Sequence, residues 1–594
     1  MSSLRGKRQK TSSGASTAAA NGETLFELLD RDLAGRIGRL KTAHGEIETP
    51  AILPVINPNR HLIEPSEMKK FGAQAIITNS YILWKDYQER VLAEGVHGLM
   101  GFQGPIMTDS GAFQLMEYGD IDVTNEQIIK FQERIGVDIG VMLDIPTASD
   151  NKPEVKRNVE ETIKRAKEIK PLISDSEVLW CGPIQGGTHM DLLRKCGKAM
   201  AALPFSVHPV GSIVPLMMSY RYADVIHILR EAQKVLPSNR PIHAFGAGHP
   251  MFFAMCAAVG VDLFDSAAYA LFAKDGRYMT NAGTDMLDEL KYLPCSCPVC
   301  SKHTAKELDE SPQRERLLAE HNLYVSFQEL NTVKQAIRDK TLWDLLEMRC
   351  RSHPRMLAAM NEFVRDKAFL DARNPVSKHR MFYFGDYTED RPSFRRRVEA
   401  AQAVKKMKWE ETRVPVYGML PKAVLDCYPF SQTVYPDEDV PLKRERDQEK
   451  KVRGASIYWF GVDVFPEKIV IKRSQKTNRI RAVYDEKGVM LAALRANDFM
   501  LLLHDAARVL HKKSKKNRVV LKDADAKKYA LQGGSVFAKF VEKASPGIIP
   551  LQQVLVVDER DRLLACGETL LNSKELIDFD YGVAVRLRWT NQTP

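Results

Sequence analysis

Nowhere in these 594 residues does an apolar run reach the roughly 18 residues that a membrane-crossing helix needs. The nearest stretch, FMLLLHDAARVL, is broken by His504 and Asp505, so no membrane span is expected. Cysteine is scarce, nine in all, and three of the nine sit in CSCPVC. A disulfide framework is short, Cys-dense and secreted, so this pattern excludes one and points to a reducing, intracellular compartment. Cys181, Cys196, Cys256, Cys350, Cys427 and Cys566 are scattered and read as small buried apolar side chains. The amino-terminal MSSLRGKRQKTSSGASTAAANG has four basic residues, no acid and no apolar segment, which excludes a secretory signal. Its composition is shared by transit peptides and disordered tails, and a disordered tail over residues 1–22 of a cytosolic protein is the expectation. No G-x-G-x-x-G follows the first strand-like segment, which argues against a dinucleotide-binding open sheet.

What is present is an ordinary globular composition, 44% hydrophobic and 27% charged, in a chain long enough for three or four domains. Lys and Arg (86) exceed Asp and Glu (76) by 10, an excess that permits an anionic partner without requiring one. From residue 47 to about 268, eight short apolar runs alternate with helical patterns. The runs are IETPAILPV, AQAIITNS, PIMTDSG, IGVMLDIP, VLWCGPIQGG, SVHPVGSIV, PIHAFGAG and VDLFDSAA. Between them, stretches such as EVKRNVEETIKRAKEI space apolar residues at three and four. Eight such units predict an α/β fold of the (β/α)8 TIM-barrel type. Asn79, Ser80, Asp109, Ser110, Asp144, Gln185, Gly211, Gly248 and Asp265 all fall at the carboxyl ends of runs, which in a parallel barrel is the single rim where active sites are built.

Cys295, Cys297 and Cys300 spell C-x-C-x2-C directly after the barrel, three soft ligands within six residues that suit a tetrahedral structural metal, with zinc favoured over an iron–sulfur cluster. Spacing leaves the fourth ligand open between His303 and His321. On the rim, Asp109 and Asp265 are the candidates for catalysis, since one carboxylate can attack a carbon developing oxocarbenium character while another group handles the leaving-group proton. Asp144 and Gln185 supply acceptors and donors suited to the edge of a purine-like heterocycle, and Phe113 could stack on its face. Beyond the barrel, residues 330–375 read as helices, YPDEDVPLKRERDQEKKVRG as a linker, and the remainder as short β-like segments with no persistent internal repeat. The basic stretches IKRSQKTNRIR and HKKSKKNR are candidate nucleic-acid contacts, or simply solvated loops.

TDSGAFQ, VMLDIP, IQGG, the VGS turn, FGAGHP, GVDLFDSAAYALFAKDGRYMT, and LPCSCPVC with its downstream HNL together resemble the tRNA-guanine transglycosylases of the archaeal, archaeosine-type branch. FAKFV, QVLVVDE and the GVAVRLRW ending resemble the PUA domain of those enzymes. The resemblance spans residues 23–594. It implies a catalytic barrel over residues 23–355 with a zinc site near 290–330, and a helical or mixed segment over 356–435. A small α+β domain over 436–514 and a β-rich PUA domain over 515–594 would follow. The implied reaction exchanges a guanine of the tRNA D-arm for 7-cyano-7-deazaguanine (preQ0), a step of archaeosine biosynthesis, without redox or nucleotide cofactor. By motif match Asp265 would be the nucleophile, and Asp109 the general acid/base. Ser110, Asp144, Gln185 and Gly211 would hold the base edge, with Phe113 stacking on its face. Cys295, Cys297, Cys300 and His321 would bind one structural Zn2+ per chain, and Arg277 would lie near the tRNA backbone. A cytoplasmic homodimer is implied as well. The rival readings are a queuine- or preQ1-inserting enzyme acting on the anticodon, an archaeosine synthase-like relative, and a non-catalytic tRNA-binding paralogue. Retention of both Asp109 and Asp265 argues against the last two.

Overall fold

The computed structural model describes residues 26–112, 123–147, 149–406, 408–434, 448–497 and 499–591. The chain opens with an antiparallel sheet of three strands, β1 (Phe26–Asp32), β2 (Gly35–Thr42) and β3 (Gly45–Thr49). The first apolar run is therefore shared between two structures. Ile47 lies in β3, and only after Pro50, which lacks an N–H to offer a ladder, does the barrel strand β4 (Ala51–Pro54) begin.

Seven further parallel strands follow: β5 (Ile76–Asn79), β6 (Ile106–Asp109), β7 (Ile139–Val141), β8 (Leu179–Cys181), β9 (His208–Val210), β10 (Ile242–Ala244) and β11 (Leu263–Ser266). They form two four-stranded parallel ladders, β5-β6-β7-β8 and β4-β11-β10-β9. Parallel bridges Val55–Ile77 and Cys181–Val207 join the ladders at both edges, closing the eight strands into a ring. Each of the eight runs thus contributes one barrel strand.

Alternation along the strands separates two cores. Leu53, Ile77, Met107, Cys181 and Leu263 belong to the cluster inside the ring, while their neighbours Ile52, Ile76, Ile106, Trp180 and Phe264 pack outward under the helices. Burial on both faces is why these strands read as continuous apolar runs. Helices Leu342–Cys350, Pro354–Arg365 and Lys367–Arg373 occupy the region predicted to be helical, preceded by the 26-residue helix Arg314–Asp339.

The carboxyl half holds a four-stranded antiparallel sheet (Val470–Arg473, Ile480–Tyr484, Met490–Leu494, Met500–Leu502) and a six-stranded mixed sheet built from residues Arg518–Thr590. The six-stranded domain is fastened to the end of the barrel opposite the rim. Phe26, Leu28, Leu40 and Ile47 of the first sheet share one apolar cluster with the barrel interior and with Val536, Val554, Leu576 and Val585. Buried Arg31 pairs with buried Glu575, and Asp578 accepts a hydrogen bond from the Ser238 amide (2.9 Å).

Candidate functional site

Asp265 is the third residue of β11 and stands on the rim. Its Oδ1 accepts two hydrogen bonds, from Nε2 of His243 on β10 and from the Gly246 amide, both at 2.8 Å. Among the described residues none donates to Oδ2, so one oxygen is anchored and the other is free. Gly248 makes this arrangement possible, because a Cβ there would fall 1.9 Å from the Ser266 Cβ and push the β11 end away. His243 is fully buried, its Nδ1 has no partner among the described residues, and its ring meets Phe245 edge-on at 4.8 Å.

Asp109 closes β6, in register with Asn79 at the end of β5. Asn79 caps helix Ser80–Asp86 by accepting from the Ile82 amide, and its Nδ2 donates to Asp109 Oδ2 (3.0 Å). The Gly111 amide donates to Oδ1 (2.5 Å), and Ser80 Oγ donates to the Asp109 carbonyl (2.6 Å). Burial outweighs these donors and, aided by the Asp265 charge, pushes the Asp109 carboxyl up to about 6. Asp144, just beyond β7, is likewise raised to about 6 by burial, against the hydrogen bond it accepts from Gln185 Nε2 (2.5 Å). Gln185 Oε1 in turn accepts from Ser212 Oγ (2.6 Å), whose oxygen also receives the Thr147 amide (2.9 Å). The relay fixes which end of the Gln185 amide faces Asp144. Gly211 lies against it, and Ser110 is buried beside Asp109. Rim residues from five strands are thus held in hydrogen-bonded sets: Asn79, Asp109, Asp144, Gln185 and Asp265. Phe113 lies outside the described residues.

Cys295, Cys297, Cys300 and His321 bring their ligand atoms within 4.8 Å of one another. His321 rides on helix Arg314–Asp339; its Nε2 donates to the Met279 carbonyl (3.0 Å), which leaves Nδ1 as a lone pair facing the Cys297 and Cys300 sulfurs at 3.5 and 3.3 Å. Amides of Cys297 and Cys300 point at sulfur, and Tyr278 stacks on the imidazole at 3.7 Å. Three sulfurs and one nitrogen fit a tetrahedral metal ion. His303 is spent elsewhere, with its Nδ1 on the Val299 carbonyl (2.9 Å), so the fourth position belongs to His321.

A second grouping, His44, His97 and Asp138, lies below the barrel. Both Asp138 oxygens are already occupied, Oδ1 by the His44 amide and ring and Oδ2 by His97 and the Ile106 amide. It reads as a clamp between hairpin, helix and strand. Of the HKKSKKNR run, His511, Lys515 and Arg518 converge on Asp561, so part of that basic stretch is engaged within the protein. Arg277 stands on a hairpin (Arg277–Met279 with Thr284–Met286), half-exposed, its guanidinium 5.1 Å over Phe272.

Sequence reasoning did not find the residues that hold these side chains in place. His243, the donor role of Asn79 and the Ser212 link are visible only once β10 meets β11, β5 meets β6, and the loops after β8 and β9 meet. The only sequence signal for His243 is a histidine inside an otherwise apolar run.

Residues 31–355 match the family model described as queuine tRNA-ribosyltransferase. Residues 451–517 match the patch-forming domain C2 of tRNA-guanine transglycosylase, and residues 517–589 match the PUA domain. Similar curated proteins include the tRNA-guanine(15) transglycosylases of Thermococcus onnurineus (43% identical, covering 95% of this chain and 99% of that protein) and Pyrococcus abyssi (42%, 95% and 97%). That of Methanocaldococcus jannaschii is 41% identical over 95% of this chain and 99% of its own.

Proposed function

The chain belongs to the tRNA-guanine transglycosylase family and is an enzyme of that class, and from this premise we propose how its rim carries out the exchange at guanine 15 of tRNA. The free Oδ2 of Asp265 attacks C1′ of the nucleotide. The C1′–N9 bond breaks, its electron pair leaves with guanine, and Asp109 supplies the proton that lets the base depart neutral. The ribose is then held on Asp265 as an ester. An incoming base gives its N9 proton to Asp109, attacks C1′ from the vacated side and expels Asp265. Two displacements return the original configuration, with no oxidation or reduction.

The observation that carries this reading is the unequal treatment of two rim carboxylates. Asp265 is anchored by one oxygen only, whereas Asp109 has its proton affinity raised to about 6, a value suited to giving and taking a proton near neutrality. Asp144, Gln185 and Gly211, together with Ser110, hold the base edge. The target base must leave its stack, which costs a few kcal/mol, and phosphate contacts from the carboxyl-terminal domains offset that.

The inserted base is preQ0, which places the reaction in archaeosine formation; the nearly full-length likeness to guanine(15) enzymes, C2 and PUA segments included, supports this over an anticodon enzyme. Zn2+ at Cys295, Cys297, Cys300 and His321 is structural, holding the helix of His321 to the hairpin that follows the nucleophile. By family resemblance the protein works as a cytoplasmic homodimer.

Incorporation of radiolabelled guanine into a tRNA transcript with an intact D-arm, by the wild type and by Asp265→Asn, tests the reading. Wild-type incorporation with a silent variant is expected. Equal incorporation by both removes Asp265 from its role, and failure of both with tRNA binding retained makes the protein a binding subunit.

A further inference from the structure

The hydrogen bonds around Asp265 assign a role to a residue outside the two-carboxylate scheme. Nε2 of His243 sits 2.8 Å from Asp265 Oδ1, so the proton between them belongs to nitrogen. The opposite ring nitrogen, Nδ1, is buried without a partner among the described residues, and the residue is fully excluded from solvent. The hydrogen bond therefore makes Nε2 the donor to Asp265.

We propose that His243 is a positioning residue that fixes Asp265 by Oδ1 and thereby dedicates Oδ2 to attack on C1′. Three features give it that power. The ring comes from β10, the strand paired directly with β11, so donor and carboxylate share one rigid ladder. The Gly246 amide, three residues after His243, donates to the same oxygen, so the two donors act as a fork closing on Oδ1 alone. Phe245 packs edge-on to the imidazole and restrains its rotation.

The inference rests on Asp265 being the nucleophile, and the test separates the two. The readout is the rate at which enzyme and tRNA form a covalent adduct, followed on denaturing gels in a single turnover, with KM for tRNA measured alongside. Glutamine places an amide N–H close to the histidine Nε2, whereas asparagine places one near Nδ1 and cannot reach Asp265. His243→Asn and His243→Leu are expected to slow adduct formation about a hundredfold, the scale of a misoriented reacting group, with KM for tRNA within about twofold of wild type. His243→Gln is expected to recover to within about fivefold of wild type.

Asparagine and glutamine variants that react alike, whether both fast or both slow, overturn the positioning role. So does a loss that appears in KM for tRNA and not in the adduct rate. Should His243→Leu fail to fold, the asparagine–glutamine pair, matched in polarity, still decides the matter. If Asp265→Asn forms adduct at the wild-type rate, the nucleophile assignment falls, and this inference falls with it. If Asp265→Asn is silent while His243→Asn is as fast as wild type, only the inference falls.

Discussion

Gly211 lies so close to Gln185 that a Cβ on it would stand 2.3 Å from Gln185 Nε2, the nitrogen bonded to Asp144. Backbone and amide are in contact, and a side chain at 211 would drive the Gln185 head group off both Asp144 and Ser212. Gly211→Ala is therefore expected to raise KM for the free base at least about tenfold and to cost roughly 1–3 kcal/mol through overpacking. Base-dependence kinetics together with urea unfolding check both parts. A wild-type KM would mean that the Asp144–Gln185–Ser212 relay does not shape the base pocket.

The raised carboxyls predict a pH dependence of stability. Asp144 and Asp109 take up protons near pH 6 in the folded chain and near their ordinary values of about 4 when unfolded. Between those limits the folded state binds more protons, so stability rises as pH falls from about 6 towards 4 and is lost as pH rises through 6. The wild type is expected to gain stability over that interval from these two groups, and Asp144→Asn to show a flatter profile. Because Asp144 is buried, its contribution is on the order of 2–3 kcal/mol. Thermal melts at pH 7.5, 6 and 5 measure it; an Asp144→Asn slope equal to wild type would contradict the assignment.

For the metal cluster, His321→Ala or Cys297→Ser should remove about one equivalent of zinc by elemental analysis and lower the melting temperature by roughly 5–10 °C. The same variants should lose activity as the hairpin holding Met279 loosens from the helix of His321. Full metal content in both variants would dissolve the site.

At the far end of the barrel, Arg31→Met strands the buried Glu575 carboxylate and is expected to cost about 3–5 kcal/mol, because an unpaired ion remains in a dry core. Replacing both, with Glu575→Leu, should return most of that. A double variant no better than the single one would show that the pair does more than neutralise itself.

The eight barrel strands were legible because each is buried on both faces and ends in a small or polar residue. That grammar placed Asp109 and Asp265 on one rim from sequence alone. The C-x-C-x2-C cluster was legible because three thiols have little other reason to crowd together. His321 became distinguishable from His303 only through the helix that returns it and the Val299 carbonyl that claims its rival. His243 was illegible for a different reason: in sequence it is a lone histidine in a strand, and only the lateral pairing of β10 with β11 reveals its partner. The boundary between the first sheet and the barrel was hidden because Ile47–Thr49 and Ala51–Pro54 are separated in sequence by Pro50 alone. Buried ions such as Arg31 and Lys378 carry no sequence signature, since each partner, Glu575 or Asp32, lies hundreds of residues away.

That separation sets a timetable for synthesis. Arg31 emerges 544 residues before Glu575, an interval of roughly half a minute to two minutes at ordinary elongation rates. During that time a nascent chain can close the ring and assemble its rim, yet its floor waits with an uncompensated guanidinium and an uncovered apolar sheet. A chain cut short before residue 575 would thus hold all eight barrel strands yet lack the carboxylate that compensates Arg31.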